Sequence, residues 1–177
     1  NGEVRGTIVD AQARLNVNAL GAGGAEERRG SERIGRLFAQ RGGPVGAIAA
    51  LGDWIDRDDQ PRDNGAEDDA YARQTPPALA ANAPVVRTAE LAMVRGVGGP
   101  ALAAVAPHLA ALPAGTPVNV NTAPPAVLAT LAEGLTPDQW AAIVEGRARK
   151  PYSTVAEFRA RLPEGARKDF MRRLMAG

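Results

Sequence analysis

The sequence predicts an α+β fold in which this chain is mostly helical. Three observations carry that expectation. β-Branched residues with partial alternation occur near the amino terminus, in residues 4–9 (VRGTIV), which read as a strand. Further along, apolar residues recur at helical spacing behind capping signals, as in Thr136-Pro137-Asp138-Gln139 and in Thr154 with Glu157. Two helix–turn–helix units then stand in tandem, over residues 88–112 and 121–162.

The 177 residues are 45% hydrophobic and only 4% aromatic, so one or two domains can form around cores built mainly from Ala, Val and Leu. A net charge of +1 gives no global attraction to nucleic acid or membrane. The absence of cysteine excludes disulfides and thiolate metal sites. His108 is the only histidine, which excludes a histidine-rich zinc or copper site within one chain, and it is expected on a partly exposed helix. With no cysteine, one histidine and no G-x-S-x-G element, a nucleophilic enzyme site is not expected. No apolar run approaches the roughly 20 residues that span a bilayer, and no signal peptide is visible. The chain opens on Asn1, as a fragment or processed product does.

The elements follow in order. Leu15, Val17 and Ala19 alternate with Asn16 and Asn18, as in a strand edge entering a turn. Residues 21–30 (GAGGAEERRG) read as a flexible loop, and Ser31 as the N-cap of a helix with Ile34, Leu37 and Phe38 on one face. Gly42, Gly43 and Pro44 separate it from a second helix over residues 45–55. Residues 67–73 suggest a short helix and the Pro-rich residues 75–86 an irregular segment. Thr88 is expected to cap a helix, which a Gly turn joins to another reaching residue 112. After an extended linker, Asn121 or Thr122 is the expected N-cap of a helix with prolines in its first turn. The last helix should place Phe170, Leu174 and Met175 on one face. The motif N-V-N occurs twice, at Asn16–Asn18 and Asn119–Asn121, with amides suited to satisfying exposed backbone groups.

Residues 53–71 hold eight acids against two bases, a local charge of −6 in a chain otherwise positive. Solvated turns account for many such runs; a hard cation taking six to eight oxygens at roughly 2.3–2.6 Å is the other reading. Two details favour the cation. Asp53, Asp56 and Asp58 follow the apolar run of residues 45–52, so they sit at the end of a buried helix. Acids there also face the negative end of the helix dipole. The EF-hand spacing is absent.

The tandem hairpins raise a second reading, a helix-hairpin-helix DNA-binding module. Arg95-Gly96-Val97-Gly98-Gly99 has the glycines that aim backbone N–H groups at phosphate, and Arg147, Arg149 and Lys150 are candidate phosphate contacts. The second hairpin, AEGLTPD, lacks its second glycine, and no aromatic stacking set accompanies the basic residues. No nucleic acid is therefore expected as a partner.

The order DWID-x-D, GAEDDAY, NAP with TAEL and VRG, then LP and VNVNTA, resembles the type II secretion system protein K family, the large minor pseudopilins. The resemblance spans nearly the whole chain. It implies a pilin-like α/β domain carrying a large inserted helical domain of tandem helix-hairpin-helix or SAM-like units. Residues 1–30 would be the pilin-like strand region and loop, 31–162 the inserted domain with its calcium loop at 53–71, and 163–177 a helix leading back. It implies Ca²⁺ in the acidic loop; from the loop itself, Asp53, Asp56, Asp58, Glu67, Asp68 and Asp69 are the expected ligands, and Asp59 and Asp63, in its most polar part, are expected to be solvated. It implies no catalysis. It implies a place at the pseudopilus tip with minor pseudopilins I and J, with pseudopilin H as a further partner. The implied location is the Gram-negative inner membrane with the globular part in the periplasm, held by an amino-terminal helix absent from this chain. Partner contacts are expected in residues 4–20 and that helix, with Leu15 and Val17 among them, rather than on the hairpins.

Overall fold

The computed structural model describes residues 2–44 and 46–175, with side chains as far as Met171. Val45, Leu174 and Met175, read above as parts of apolar helix faces, fall outside the described side chains. The architecture is helical with one small parallel sheet. β1 (Leu15–Asn16) pairs with β2 (Leu109–Ala110), Leu15 opposite Leu109. Eight α-helices are described: α1 (Gly24–Gln40), α2 (Ala47–Ile55), α3 (Asp68–Tyr71), α4 (Gly99–Val105), α5 (Pro125–Leu131), α6 (Pro137–Arg149), α7 (Val155–Arg161) and α8 (Glu164–Met175). A 3-10 turn over Val17–Gly21 leads from β1 to α1, and another occupies Thr88–Met93.

Residues 4–9 form no strand. Val4, Ile8 and Val9 are 97%, 101% and 59% exposed, and no described strand lies beside them to take up their backbone groups. Leu15 and Val17 are 2% and 1% exposed, so they belong to the core and cannot form a contact surface. The expected loop at residues 21–30 is mostly helix, and Ser31 lies inside α1 rather than capping it. α1 thus crosses the division expected at residue 30. Two features start the helix earlier than its apolar face suggests. Glu26 and Glu27 occupy the first turn, where the helix dipole favours anions, and Glu27 accepts the Gly23 N–H at 3.2 Å. Gly30 then lets α1 touch the 3-10 turn before it: a β-carbon there would stand 2.8 Å from Ala19 Cβ.

The later elements follow their signals more closely. Thr136 and Gln139 form the reciprocal capping box of α6. Thr154 accepts the Glu157 N–H at the start of α7, while Glu157 reaches back to the Ser153 N–H at 2.7 Å. Thr88 begins its 3-10 turn, and Glu90 secures it by accepting the N–H groups of Val86 and Arg87. α5 is capped by Pro124; Asn121 and Thr122 lie in the turn before it. Residues 109–110, read as helical, are β2.

One hydrophobic core runs from Leu15 to Phe170. Its few aromatics meet edge to face, Trp54 with Tyr71 at 5.1 Å and Phe158 with Phe170 at 5.8 Å. The N-V-N echo is a structural device used twice. The first Asn of each motif accepts the N–H of the second: Asn18 to Asn16 at 3.1 Å and Asn121 to Asn119 at 3.0 Å. The second Asn then grips both backbone groups of a distant residue. Asn18 accepts from the Val85 N–H at 2.8 Å and donates to the Val85 carbonyl at 2.9 Å. Asn121 does the same to Tyr152, at 2.8 and 2.9 Å. Each amide supplies a strand-like pair of bonds where no strand exists, which satisfies backbone groups the core would otherwise strand.

Candidate metal centre

The acidic stretch folds around two residues, Asp53 and Arg62. Asp53 lies in the last turn of α2 and is fully buried. Its carboxylate accepts the Ala66 N–H at 2.7 Å, the Arg62 N–H at 3.3 Å and Arg62 Nη1 at 2.8 Å. These bonds draw residues 62–66 back onto the helix end. The loop turns through Asn64, at φ 65°, and Gly65, whose N–H donates to the Arg62 carbonyl at 2.7 Å. A β-carbon on Gly65 would lie 1.8 Å from Asp53 Oδ2, so only glycine allows this approach.

Arg62 joins three acids from two helices. Nη1 donates to Asp53 and to Asp56 Oδ2, and Nη2 donates to Glu27 of α1 at 2.7 Å. Burial works against its cation, but the bonds to Asp53, Glu27 and Asp56 outweigh it, and its pKa stands above the usual arginine value. Asp56 titrates above the usual aspartate value because burial outweighs the opposing hydrogen bond and charge of Arg62.

Next to this network stands a group left without a protein partner. Glu67, the residue before α3, is 6% exposed, and among the described residues neither of its carboxylate oxygens has a hydrogen-bond partner; Asp56 Oδ1 is likewise buried without one. Burial, then the charges of Asp53, Asp56, Asp59 and Asp58, push the Glu67 carboxyl up to about 7. One oxygen each from Asp56, Asp58 and Glu67 lie within 4.8 Å of one another. Ligands of one ion at roughly 2.3–2.6 Å stand at most about 5 Å apart, so this triangle has the dimensions of a hard-cation site. The oxygen-only donor set and the desolvated, unpartnered Glu67 carboxylate suit Ca²⁺.

The other expected ligands lie outside this triangle. Asp53 is occupied by Arg62 and Ala66, Asp68 accepts the Ala80 N–H at 2.8 Å, and the Asp69 side chain is 97% exposed beside Arg73. Asp59 accepts from Asn82 Nδ2 at 3.1 Å, and Asp63 is exposed. In the sequence Arg62 was legible only as one of two bases in the stretch, and Glu27 was not singled out.

Of the hairpin arginines, Arg147 is committed to packing. Arg147 is 9% exposed and donates to the carbonyls of Val120 and, at 2.6 Å, Ala123. It pins the second N-V-N turn to α6 and cannot reach a phosphate. Arg149 pairs with Glu145. His108 is half-buried in a 3-10 turn, its pKa lowered by burial and then by Arg41 and Arg14. Among the described residues, no helix is long and apolar enough to cross a membrane.

Two family models of type II secretion system protein K match the chain, over residues 13–114 and 118–173. Type II secretion system protein K of Klebsiella pneumoniae is 38% identical over 141 residues, covering 75% of this chain and 43% of that protein. The protein of the same name from Pseudomonas aeruginosa is 32% identical over 137 residues, covering 75% and 41%. This chain therefore spans less than half the length of these relatives. A chain in the crystal structure of the GspK-GspI-GspJ complex from the enterotoxigenic Escherichia coli type 2 secretion system has a like fold. Its TM-score is 0.74 at 24% identity, with 90% of this chain and 60% of that one covered. With family models running over both halves of the sequence, the chain belongs to the type II secretion system protein K family.

Proposed function

We propose that this chain is the helical part of a minor pseudopilin, a non-enzymatic subunit that works by assembly. In this reading it is the inserted domain of a pilin-like subunit at the tip of the type II secretion pseudopilus. It sits there with minor pseudopilins I and J, on the periplasmic side of the inner membrane. The observation that carries the reading is the family match over residues 13–114 and 118–173. The likeness in fold to a chain solved within a GspK-GspI-GspJ complex supports the choice of partners.

Asp56, Asp58 and Glu67 would hold Ca²⁺, with Glu67 supplying the carboxylate that the protein leaves unpartnered. The ion would supply charge neutralisation and no chemistry. Its effect would be to keep residues 56–67 folded against α2 and so give the tip a fixed shape. The test is reconstitution of the longer protein containing this chain with pseudopilins I and J, read by size-exclusion chromatography with light scattering. A stable ternary complex is the expected result. Three proteins that elute separately at micromolar concentration would overturn the assembly role.

A further inference from the structure

We propose that Arg62 is a built-in counter-cation, which holds the acidic loop in shape without metal and thereby sets how strongly the fold depends on calcium. The inference rests on the calcium reading above and adds a role for a residue that binds no ion. Four carboxylates, Asp53, Asp56, Asp58 and Glu67, crowd the end of α2 and the start of α3. Arg62 is the base placed among them. Its guanidinium takes Asp53 Oδ1 and Asp56 Oδ2, and its other arm is anchored at 2.7 Å to Glu27, outside the cluster, so it stays seated whether or not an ion is present. It leaves Asp56 Oδ1 and both oxygens of Glu67 open. Arg62 and a divalent ion would thus share Asp56, one oxygen each.

Two consequences have the same sign. Without Arg62, the metal-free loop loses the guanidinium that pairs with Asp53 and Asp56, so like-charge repulsion at short range and low dielectric weakens the metal-free fold. The ion, freed of a neighbouring positive charge, is bound more favourably. Both enlarge the stabilisation that calcium confers, because a ligand stabilises by the free energy with which it binds the native state.

The experiment compares melting temperatures of the full chain with chelator and with millimolar Ca²⁺, for wild type, Arg62→Gln and Arg62→Lys, alongside calcium uptake by equilibrium dialysis. Arg62→Gln is expected to melt lower than wild type in chelator, with a calcium-induced rise larger by about two-fold or more. Folding of Arg62→Gln only in calcium is the extreme form of that result. Arg62→Lys keeps the charge, so its calcium-induced rise should lie closer to wild type than to Arg62→Gln. An equal loss in Arg62→Gln with and without calcium, or a failure to fold in both, would overturn the role given to Arg62 while calcium uptake by wild type still stood. A wild-type chain that takes up no calcium would overturn the metal reading and this inference together.

Discussion

Gly65 lies so close to Asp53 that a β-carbon on it would stand 1.8 Å from Asp53 Oδ2. The loop returns to the end of α2 on this contact, and the Ala66 N–H reaches the same oxygen at 2.7 Å. Gly65→Ala must push the loop off the helix or turn the Asp53 carboxylate away. A loss of about 3 kcal/mol is expected in urea denaturation. Asp53→Ala should cost more, about 3–5 kcal/mol, because it leaves Arg62 partly unpaired and the Ala66 N–H without an acceptor.

Glu67→Gln should separate charge from shape. Without metal, Glu67 is a carboxyl whose folded-state pKa, about 7, is raised above its unfolded value by burial and by neighbouring acids. Between the unfolded value and about 7, the native state holds a proton that the unfolded chain has lost, so stability falls as pH rises through that window. In chelator, Glu67→Gln should remove this fall and be at least as stable as wild type at pH 8. In calcium the order should reverse, because the variant loses a ligand. Melting curves at pH 5 and pH 8 in both buffers check the crossing; a variant less stable than wild type in every condition contradicts it.

The amide of Asn18 holds both backbone groups of Val85 and also donates to the Leu112 carbonyl at 2.9 Å. Asn18→Ala strands these groups in the core, and a loss of about 3 kcal/mol is expected. Asn121→Ala, in the less buried copy of the device, should cost about 1–2 kcal/mol by the same denaturation measurement.

Arg147 and Arg149 are two residues apart on α6 and should behave differently. Arg147→Met strands the carbonyls of Val120 and Ala123 and should cost about 2 kcal/mol. Arg149→Ala, which removes an exposed pair with Glu145, should stay within about 0.5 kcal/mol of wild type. Neither should alter DNA affinity, because none is expected: a gel shift with a steep salt dependence at physiological ionic strength would revive the nucleic-acid reading.

What was legible in the sequence followed from local chemistry. The caps at Thr136 and Thr154 depend on residues three positions apart, and both formed. The acidic stretch was visible as charge, and the N-V-N echo as a repeat. What stayed hidden depended on distant partners. The helical state of residues 24–31 depends on Gly30 meeting Ala19, and the short β1 on Leu109. Which acids face one another could not be read from spacing, because it depends on distant partners: Asp53 meets Arg62 and Asp68 meets the Ala80 N–H. Arg147 read as a surface cation because nothing local reveals that Val120 and Ala123 lie over it.

The account turns on the unpartnered Glu67 carboxylate beside Asp56 and Asp58. Isothermal titration of Ca²⁺ into chelator-stripped protein tests it most directly. The account predicts saturable, stoichiometric binding at pH 7.5, lost in Glu67→Gln and in Asp56→Asn, retained in Asp69→Asn, with a higher melting temperature at saturation. A ligand at a hundred times its dissociation constant adds about 2.7 kcal/mol. No saturable binding, or binding that Glu67→Gln leaves unchanged, would contradict it.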